Sequence, residues 1–193
     1  SYQISVEQAM QNAGRIMKET GASAVKLEGG KEVCPQIRAI TAAGIPVVAH
    51  IGMTPQSVNA FGGFTVQGKG EANARRVLED ALAVQEAGAF AVTLECVPPK
   101  LSALITKKLD IITIGIGASP ECDAQVLVWQ DMLGISDFKP KFAKHFAEVG
   151  ETMREAFRAY DGEVKSGVFP ASEHTFVKSD CTEEFLASLD VEY

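Results

Sequence analysis

Apolar and polar residues along this chain alternate between two patterns. One pattern places apolar residues at helical spacing and ends near a glycine, and the other is a short run of β-branched and aliphatic residues. The helical pattern predicts helices at about 5–20, 32–43, 71–86, 101–108 and 141–160. The apolar runs predict strands at 24–28, 47–51, 90–95 and 111–116, and the run 125–129 is compatible with a fifth strand or with a helix.

The first helix carries the clearest end signals. Ser5 is predicted to accept a hydrogen bond as the N-cap, and Gln8 to complete a capping box. Lys18 suits the negative end of the helix, and Gly21 is predicted to end it in a left-handed conformation.

The alternation of strands and helices predicts an α/β fold in which helical crossovers join parallel strands. Two architectures fit this order, an open doubly wound sheet and a closed (β/α)8 barrel, and both bind ligands at the carboxyl ends of the strands. The chain has 193 residues, whereas a complete eight-fold barrel typically needs about 250.

Charge and composition narrow the function classes. The net charge is -7 and the pI about 5.0, which disfavours binding to nucleic acid. No apolar run approaches the roughly 20 residues of a membrane span, and the first residues do not read as a signal peptide. The four cysteines include no C-x-x-C pair, so we expect free thiols and a cytoplasmic location.

Several of the predicted strands end in polar residues. This is unexpected, because a buried parallel strand should be apolar throughout. Lys26 and Glu28 are two residues apart on a strand and therefore share a side, so they suit a substrate carboxylate and a divalent cation, or form a salt bridge. Glu95 suits a general base or a loop cap. His50 is either a pocket residue or a hydrogen-bonded core histidine.

Two glycine-containing segments each allow two structural interpretations. Ile114–Ala118 contains G-x-G but lacks the third glycine of a dinucleotide site, so it indicates close approach of the backbone to a small ligand or close packing within the protein. The glycine-rich stretch 61–70 is predicted to be an irregular loop, either a lid or a surface connection.

Taken together, the motifs resemble those of the ketopantoate hydroxymethyltransferases. The matching segments, which cover almost the whole chain, are Ala24–Gly30, His50–Gln56, Val66–Gly68, Leu94–Pro98, Ile114–Ala118, Asp131–Gly134, Gly167–Pro170 and Glu173–His174.

The resemblance implies a (β/α)8 barrel of the phosphoenolpyruvate/pyruvate type. The implied reaction transfers a hydroxymethyl group from methylene-tetrahydrofolate to 3-methyl-2-oxobutanoate, giving 2-dehydropantoate for pantothenate and coenzyme A synthesis. A divalent metal, usually Mg2+, would favour the enolate. By the same resemblance, Lys26 binds the keto-acid carboxylate, Glu28 belongs to the metal site, Glu95 accepts the proton and His50 lies in the pocket.

The chain departs from the family pattern at its start. The family has two metal-binding aspartates on earlier strands, and no segment here matches them. We therefore expect 1–193 to be the C-terminal portion of one barrel domain, lacking about three strands, with a helical and irregular tail over about 141–193. We expect no transferase activity from this chain alone. The resemblance also implies a homo-oligomer, a decamer.

Two other functions stay open from the sequence. One is a carbon–carbon lyase of the same barrel superfamily, against which the His50–Gln56 and Leu94–Pro98 segments argue. The other is a truncated, non-catalytic remnant or assembly subunit, which the missing aspartates favour.

Overall fold

The structure, a computed structural model, describes residues 1–176 and 181–192. These residues form two compact units. The first comprises 1–129 and 140–144, and the second comprises 130–139 and the residues from 145 onward.

The first unit alternates helices and strands. Its helices are α1 (Val6–Glu19), α2 (Cys34–Ala42), α3 (Glu71–Glu86) and α4 (Pro99–Lys108). Its strands are β1 (Val25–Glu28), β2 (Val47–Gly52), β3 (Ala91–Glu95), β4 (Ile112–Ile116) and the short β5 (Ala124–Gln125). Single 3₁₀ turns at Lys31–Val33 and Pro55–Ser57 follow β1 and β2.

All five strands are parallel, and their order in the sheet is β1-β2-β3-β4-β5. The predicted parallel α/β class is therefore confirmed. The strand order follows the chain without the reversal that defines the switch point of a doubly wound sheet. Because strand–helix–strand crossovers are almost always right-handed, an unreversed order places the helices on one side of the sheet.

The hydrophobic core lies on the helix side of the sheet. Alternate strand residues such as Leu27, Ala49 and Leu94 point into it and meet Ile37 and Ile40 of α2. The residues between them point to the opposite face. That face is buried toward the carboxyl ends of the strands but open at Ile112, which is 49% exposed.

Helix α1 begins as predicted and ends differently. Ser5 Oγ accepts a hydrogen bond from the Gln8 backbone N–H (3.1 Å), but Gln8 Oε1 has no partner, so the capping box is incomplete. The helix ends at Thr20, whose hydroxyl donates to the Ile16 carbonyl (2.7 Å) and accepts from the Ala22 N–H (3.1 Å). The threonine side chain thus takes the role predicted for Gly21.

The predicted fifth strand is mostly absent. Only Ala124 and Gln125 pair with β4, and Trp129 already begins the one-turn helix α5 (Trp129–Met132). Val126 and Val128 are 44% and 49% exposed. Their β-branched side chains resemble those of a buried strand, but they lack the packing that would hold a strand at this edge.

The second unit is largely helical. It contains α6 (Val149–Ser166) and α7 (Glu183–Glu192), with a 3₁₀ turn at Ser172–His174. The helix predicted at 141–160 therefore starts eight residues later and continues further. Its start is fixed by tertiary contacts, because the Val149 N–H donates to the Leu133 carbonyl (2.9 Å) and Gly150 packs on the Gly134 carbonyl oxygen.

Within 1–176 and 181–192, none of the helices has the length and apolar character that a membrane span requires.

Candidate active site

Three predicted site residues meet at the carboxyl end of the sheet. Glu28 ends β1 and is the register partner of His50 on β2, while Glu95 ends β3 and is the partner of Gly52. Side chains alternate along a strand, so all three point to the face opposite the core. The parallel register thus brings together residues that are 22 and 45 positions apart.

His50 lies between the two carboxylates. Its Nε2 is 3.1 Å from Glu95 Oε2, and its Nδ1 is 3.9 Å from Glu28 Oε1. The imidazole is 3% exposed, yet neither ring nitrogen has a partner at hydrogen-bonding geometry. The Glu28 oxygen is too far from Nδ1, and the Glu95 oxygen is close to Nε2 but off the direction of a ring N–H. Buried polar groups are nearly always hydrogen-bonded, so two unpaired nitrogens mark a functional candidate.

The Glu28 carboxylate is held in place by the segment that follows β2. Its Oε2 accepts a hydrogen bond from the Gln56 backbone N–H (2.9 Å) at the 3₁₀ turn. The Glu28 backbone is held separately, because the Tyr2 hydroxyl donates to its carbonyl oxygen (2.8 Å) and accepts from its N–H (3.0 Å).

Glu95 occupies a tightly packed strand end. Its side chain is 11% exposed, and its carbonyl oxygen accepts from the Met53 N–H (2.8 Å). The next residue, Cys96, turns the chain with φ at +50°, and its N–H donates to the Ile116 carbonyl (2.9 Å). Burial, together with the neighbouring Glu95 charge, raises the pKa of the Cys96 thiol. Both sides of the strand end are therefore fixed by backbone hydrogen bonds.

Lys26 shares the face but not the cluster. It lies two residues before Glu28 on the face opposite the core, next to Val48, and borders an apolar groove with Thr93, Ile114 and Val126. Its side chain is exposed and makes no ion pair among the described residues. A lysine on a flexible four-carbon stem in this setting is free to reach a ligand carboxylate.

The glycine-rich loop is tied to the site at one end. Gln67 donates its backbone N–H to the Cys96 carbonyl (2.9 Å), and its side chain accepts from Arg76 (3.3 Å). Phe64, nearer the middle of the loop, is 73% exposed. The loop is thus anchored beside Glu95 and open to solvent at Phe64.

The Gly115 and Gly117 backbones are approached from within the protein. A Cβ at Gly115 would lie 2.9 Å from the Gln125 amide, and one at Gly117 would lie 2.9 Å from the Phe142 ring. These two glycines therefore serve side-chain packing, which is one of the two interpretations that the sequence allowed.

The described residues contain no group of three or more His, Cys, Asp or Glu side chains arranged to hold a metal ion. Glu28 offers a single carboxylate oxygen that is not already bonded to Gln56. Hard cations such as Mg2+ prefer six oxygen ligands. The residues present therefore do not make a metal centre by themselves, and the metal role of Glu28 stays a prediction.

Three further residues contribute to the site and were not predicted. Tyr2 and Gln56 hold Glu28, and Thr93, which is 3% exposed, is the register partner of His50. Of these, only Thr93 had a signal in the sequence, as a polar residue two positions before Glu95 on the same strand face.

An imidazole between two nearly buried carboxylates is an acid–base arrangement. Such groups move protons efficiently when they lie within reach of a ligand and exclude water. The fold and the cluster thus define the chain as a parallel α/β protein with a candidate acid–base site at the carboxyl ends of its strands.

The chain belongs to the ketopantoate hydroxymethyltransferase family, whose model matches residues 1–172. The predicted resemblance is therefore confirmed. The chain is 62% identical over 177 residues to the 3-methyl-2-oxobutanoate hydroxymethyltransferase of Clostridium novyi, covering 91% of this chain. It is 60% identical over 181 residues to the enzyme of the same name from Enterococcus faecalis, covering 93% of this chain.

The chain spans 64% of the Clostridium novyi protein and 66% of the Enterococcus faecalis protein. Among solved structures, a putative phosphonomutase from Burkholderia cenocepacia is 13% identical with a TM-score of 0.33, covering 84% of this chain and 79% of that one. A TM-score of that size does not establish a common fold.

Proposed function

We propose that the whole protein transfers a hydroxymethyl group from methylene-tetrahydrofolate to 3-methyl-2-oxobutanoate, giving 2-dehydropantoate and tetrahydrofolate with uptake of one water. The observation that carries the proposal is the Glu28–His50–Glu95 cluster. Its residues lie in the segments that match the family, and the relatives at about 60% identity carry that activity in their names.

Glu95 is the proposed proton acceptor. Its carboxylate takes the proton from C3 of the keto acid, and the C–H electron pair becomes the C2=C3 bond of the enolate while the carbonyl electron pair moves onto oxygen. Water releases the one-carbon group from the folate as formaldehyde, with both C–N bonds broken and tetrahydrofolate leaving. C3 then attacks the formaldehyde carbon, and the alkoxide formed takes the proton held by Glu95 to become the hydroxyl of the product. The low exposure of Glu95 keeps water from competing for the proton, which suits a general base.

Lys26 is the proposed partner of the substrate carboxylate. Its ammonium group is unpaired within the described part of the chain and lies on the same face as Glu28. The apolar groove that it borders, which includes Val48 and Ile114, suits the branched alkyl end of the keto acid.

His50 is the proposed pocket histidine. Its unpaired nitrogens are available to bind a substrate oxygen, and its position 3.1 Å from Glu95 lets it stabilise either protonation state of that carboxylate. A neutral imidazole can serve this purpose, because Nε2 donates a hydrogen bond in one tautomer and accepts one in the other.

Glu28 is proposed to contribute to a divalent metal site, for which Mg2+ is the candidate. Since the described residues do not complete such a site, its other ligands would be water, substrate oxygens or further residues of the whole protein. A metal on the keto-acid carbonyl would stabilise the negative charge of the enolate oxygen.

The complete fold is proposed to be a (β/α)8 barrel, of which 1–193 is a C-terminal portion. The unreversed strand order and the placement of the core on one face support this. A homo-oligomeric state and a cytoplasmic location are proposed on family membership.

Exchange of the C3 proton of 3-methyl-2-oxobutanoate tests the proposal. In D2O without folate, the intact protein should exchange this proton, as followed by NMR, and Glu95→Gln should slow the exchange by at least about 100-fold. A lyase would cleave the keto acid rather than exchange its proton. Absence of exchange by the intact protein with Mg2+ present would overturn the proposal.

A further inference from the structure

The hydroxyl of Tyr2 takes the hydrogen-bonding position of a neighbouring strand. Among the described residues, strand β1 pairs with β2 only, and its other side, the free edge, has no strand partner. The N–H groups of Val25 and Gly29 donate toward β2, to Pro46 and His50, so the backbone groups of Lys26 and Glu28 face the free edge. At Glu28 the Tyr2 hydroxyl binds both of these groups, at 2.8 and 3.0 Å.

The Tyr2 segment is itself firmly attached. The side chain is partly buried against the hydrophobic core. The Tyr2 carbonyl accepts from Gln36 (3.3 Å), and the neighbouring Gln3 donates to the Gln56 side chain (2.7 Å). Burial raises the pKa of Tyr2, so the hydroxyl keeps its proton at neutral pH and can donate a hydrogen bond to the Glu28 carbonyl oxygen.

These contacts converge on one carboxylate. Tyr2 fixes the Glu28 backbone, and the Gln56 N–H fixes the Glu28 side chain at Oε2, which leaves Oε1 directed toward His50. Because a strand edge frays when its backbone groups are unpaired, loss of the hydroxyl would loosen the end of β1.

We infer that Tyr2 is a positioning residue of the acid–base site, which holds the Glu28 carboxylate at its place beside His50 from the free edge of the sheet. The inference rests on the proposed function only in treating Glu28 and His50 as site residues. It assigns a task to a residue that lies outside the strand-end motifs.

The test compares Tyr2→Phe with Tyr160→Phe in the 193-residue chain. Both changes remove one hydroxyl, and Tyr160 lies on α6 in the second unit. The chain has three histidines, so the ring nitrogens of His50 can be resolved by NMR. Tyr2→Phe should shift the His50 ring signals and leave those of His145 and His174 unchanged, and Tyr160→Phe should leave His50 unchanged.

A double-mutant comparison identifies the route of the effect. In a Glu28→Gln background, Tyr2→Phe should cause no further change at His50, because the charged partner through which it acts has been removed. Unchanged His50 signals in Tyr2→Phe, or an equal change in both backgrounds, would overturn the inference. These spectra need no turnover, so they are independent of whether the transferase proposal holds.

Hydrogen exchange in the unsubstituted chain keeps the inference testable if Tyr2→Phe does not fold. The amide protons of Lys26 and Glu28 face the same free edge, but only Glu28 has the Tyr2 hydroxyl as its acceptor. The Glu28 amide should exchange about five- to tenfold more slowly, the effect of one ordinary hydrogen bond. Equal rates for the two amides would refute it.

Discussion

Gly52 packs directly on the backbone carbonyl oxygen of Glu95, its register partner across β2 and β3. Gly52 has φ at +89°, and a Cβ at this position would collide with that oxygen and come within 2.7 Å of Val97. The absence of a side chain here is what lets the end of β3 carry Glu95 close to His50.

Replacing Gly52 by alanine should therefore damage both stability and the site. We expect Gly52→Ala to lower the free energy of unfolding by about 2 kcal/mol or more, since backbone strain and a steric clash add together. Chemical denaturation measures the effect. Gly44→Ala is the matched control, because Gly44 has φ at +80° with open space around it and should cost only about 1 kcal/mol. Equal losses of unfolding free energy in the two variants would contradict the close contact between Gly52 and the Glu95 carbonyl oxygen.

Removing the charge of Glu95 should lower the reaction rate without lowering the stability of the fold. Glu95→Gln keeps the shape of the side chain, so we expect little change in the thermal unfolding temperature. The rate at which the intact protein exchanges the C3 proton of 3-methyl-2-oxobutanoate should fall by at least about 100-fold. Glu86→Gln on α3, where the carboxylate is 78% exposed, is the control and should keep the wild-type rate. Exchange by Glu95→Gln at the wild-type rate would exclude Glu95 as the base.

Asp123 should make stability depend on pH in the acid range. The Thr113 backbone N–H and then its hydroxyl, both at 2.8 Å, hold the pKa of Asp123 below its ordinary value of 3.8. A lowered folded-state pKa adds stability that is present above the unfolded pKa and is lost as the pH falls through the folded value. Because Asp123 is exposed and solvent screens its charge, Asp123→Asn should cost no more than about 0.5 kcal/mol at pH 6, and progressively less below about pH 4.

The measurement is the free energy of unfolding of the unsubstituted chain and of Asp123→Asn, from pH 6 down to pH 2. Asp110→Asn serves as the control, because Asp110 is exposed and binds Gln85 through its backbone N–H rather than its carboxylate. A penalty for Asp123→Asn that stays constant down to pH 2 would show that the hydrogen bonds do not depend on the charge.

The two faces of the sheet should respond differently to truncation in this chain. Ile40→Ala removes a side chain that is 1% exposed in the helix-side core and should cost about 2–5 kcal/mol. Ile112→Ala removes one that is 49% exposed on the opposite face and should cost less than about 1 kcal/mol. Both losses are measured by urea unfolding. Comparable losses would contradict the placement of the core on the helix side alone.

Local patterns predicted the helices of the first unit well, because each helix there has both an amphipathic period and a glycine or proline at its boundary. Helix α3 has the predicted bounds, Glu71–Glu86, and Gly88 follows with φ at +100°. The start of α6 could not be read in this way. Residues 141–148 have a helical period, but contacts of Val149 and Gly150 with distant backbone decide where the helix begins.

The site was predictable in its members more than in its geometry. Alternation along β1 placed Lys26 and Glu28 on one face, and strand ends singled out His50 and Glu95. The register between strands sets which of them meet, and the sequence does not encode it locally, so the separation of Lys26 from the cluster was not foreseen. The Tyr2–Glu28 contact spans 26 positions through a hydroxyl and leaves no periodic trace.

The Tyr2 hydroxyl has a consequence for any strand that adds to the free edge of β1. Such a strand can pair with Lys26, but it must turn away before Glu28, whose N–H and carbonyl are already occupied. The phenol therefore limits pairing on this side of β1 to the backbone groups that precede Glu28.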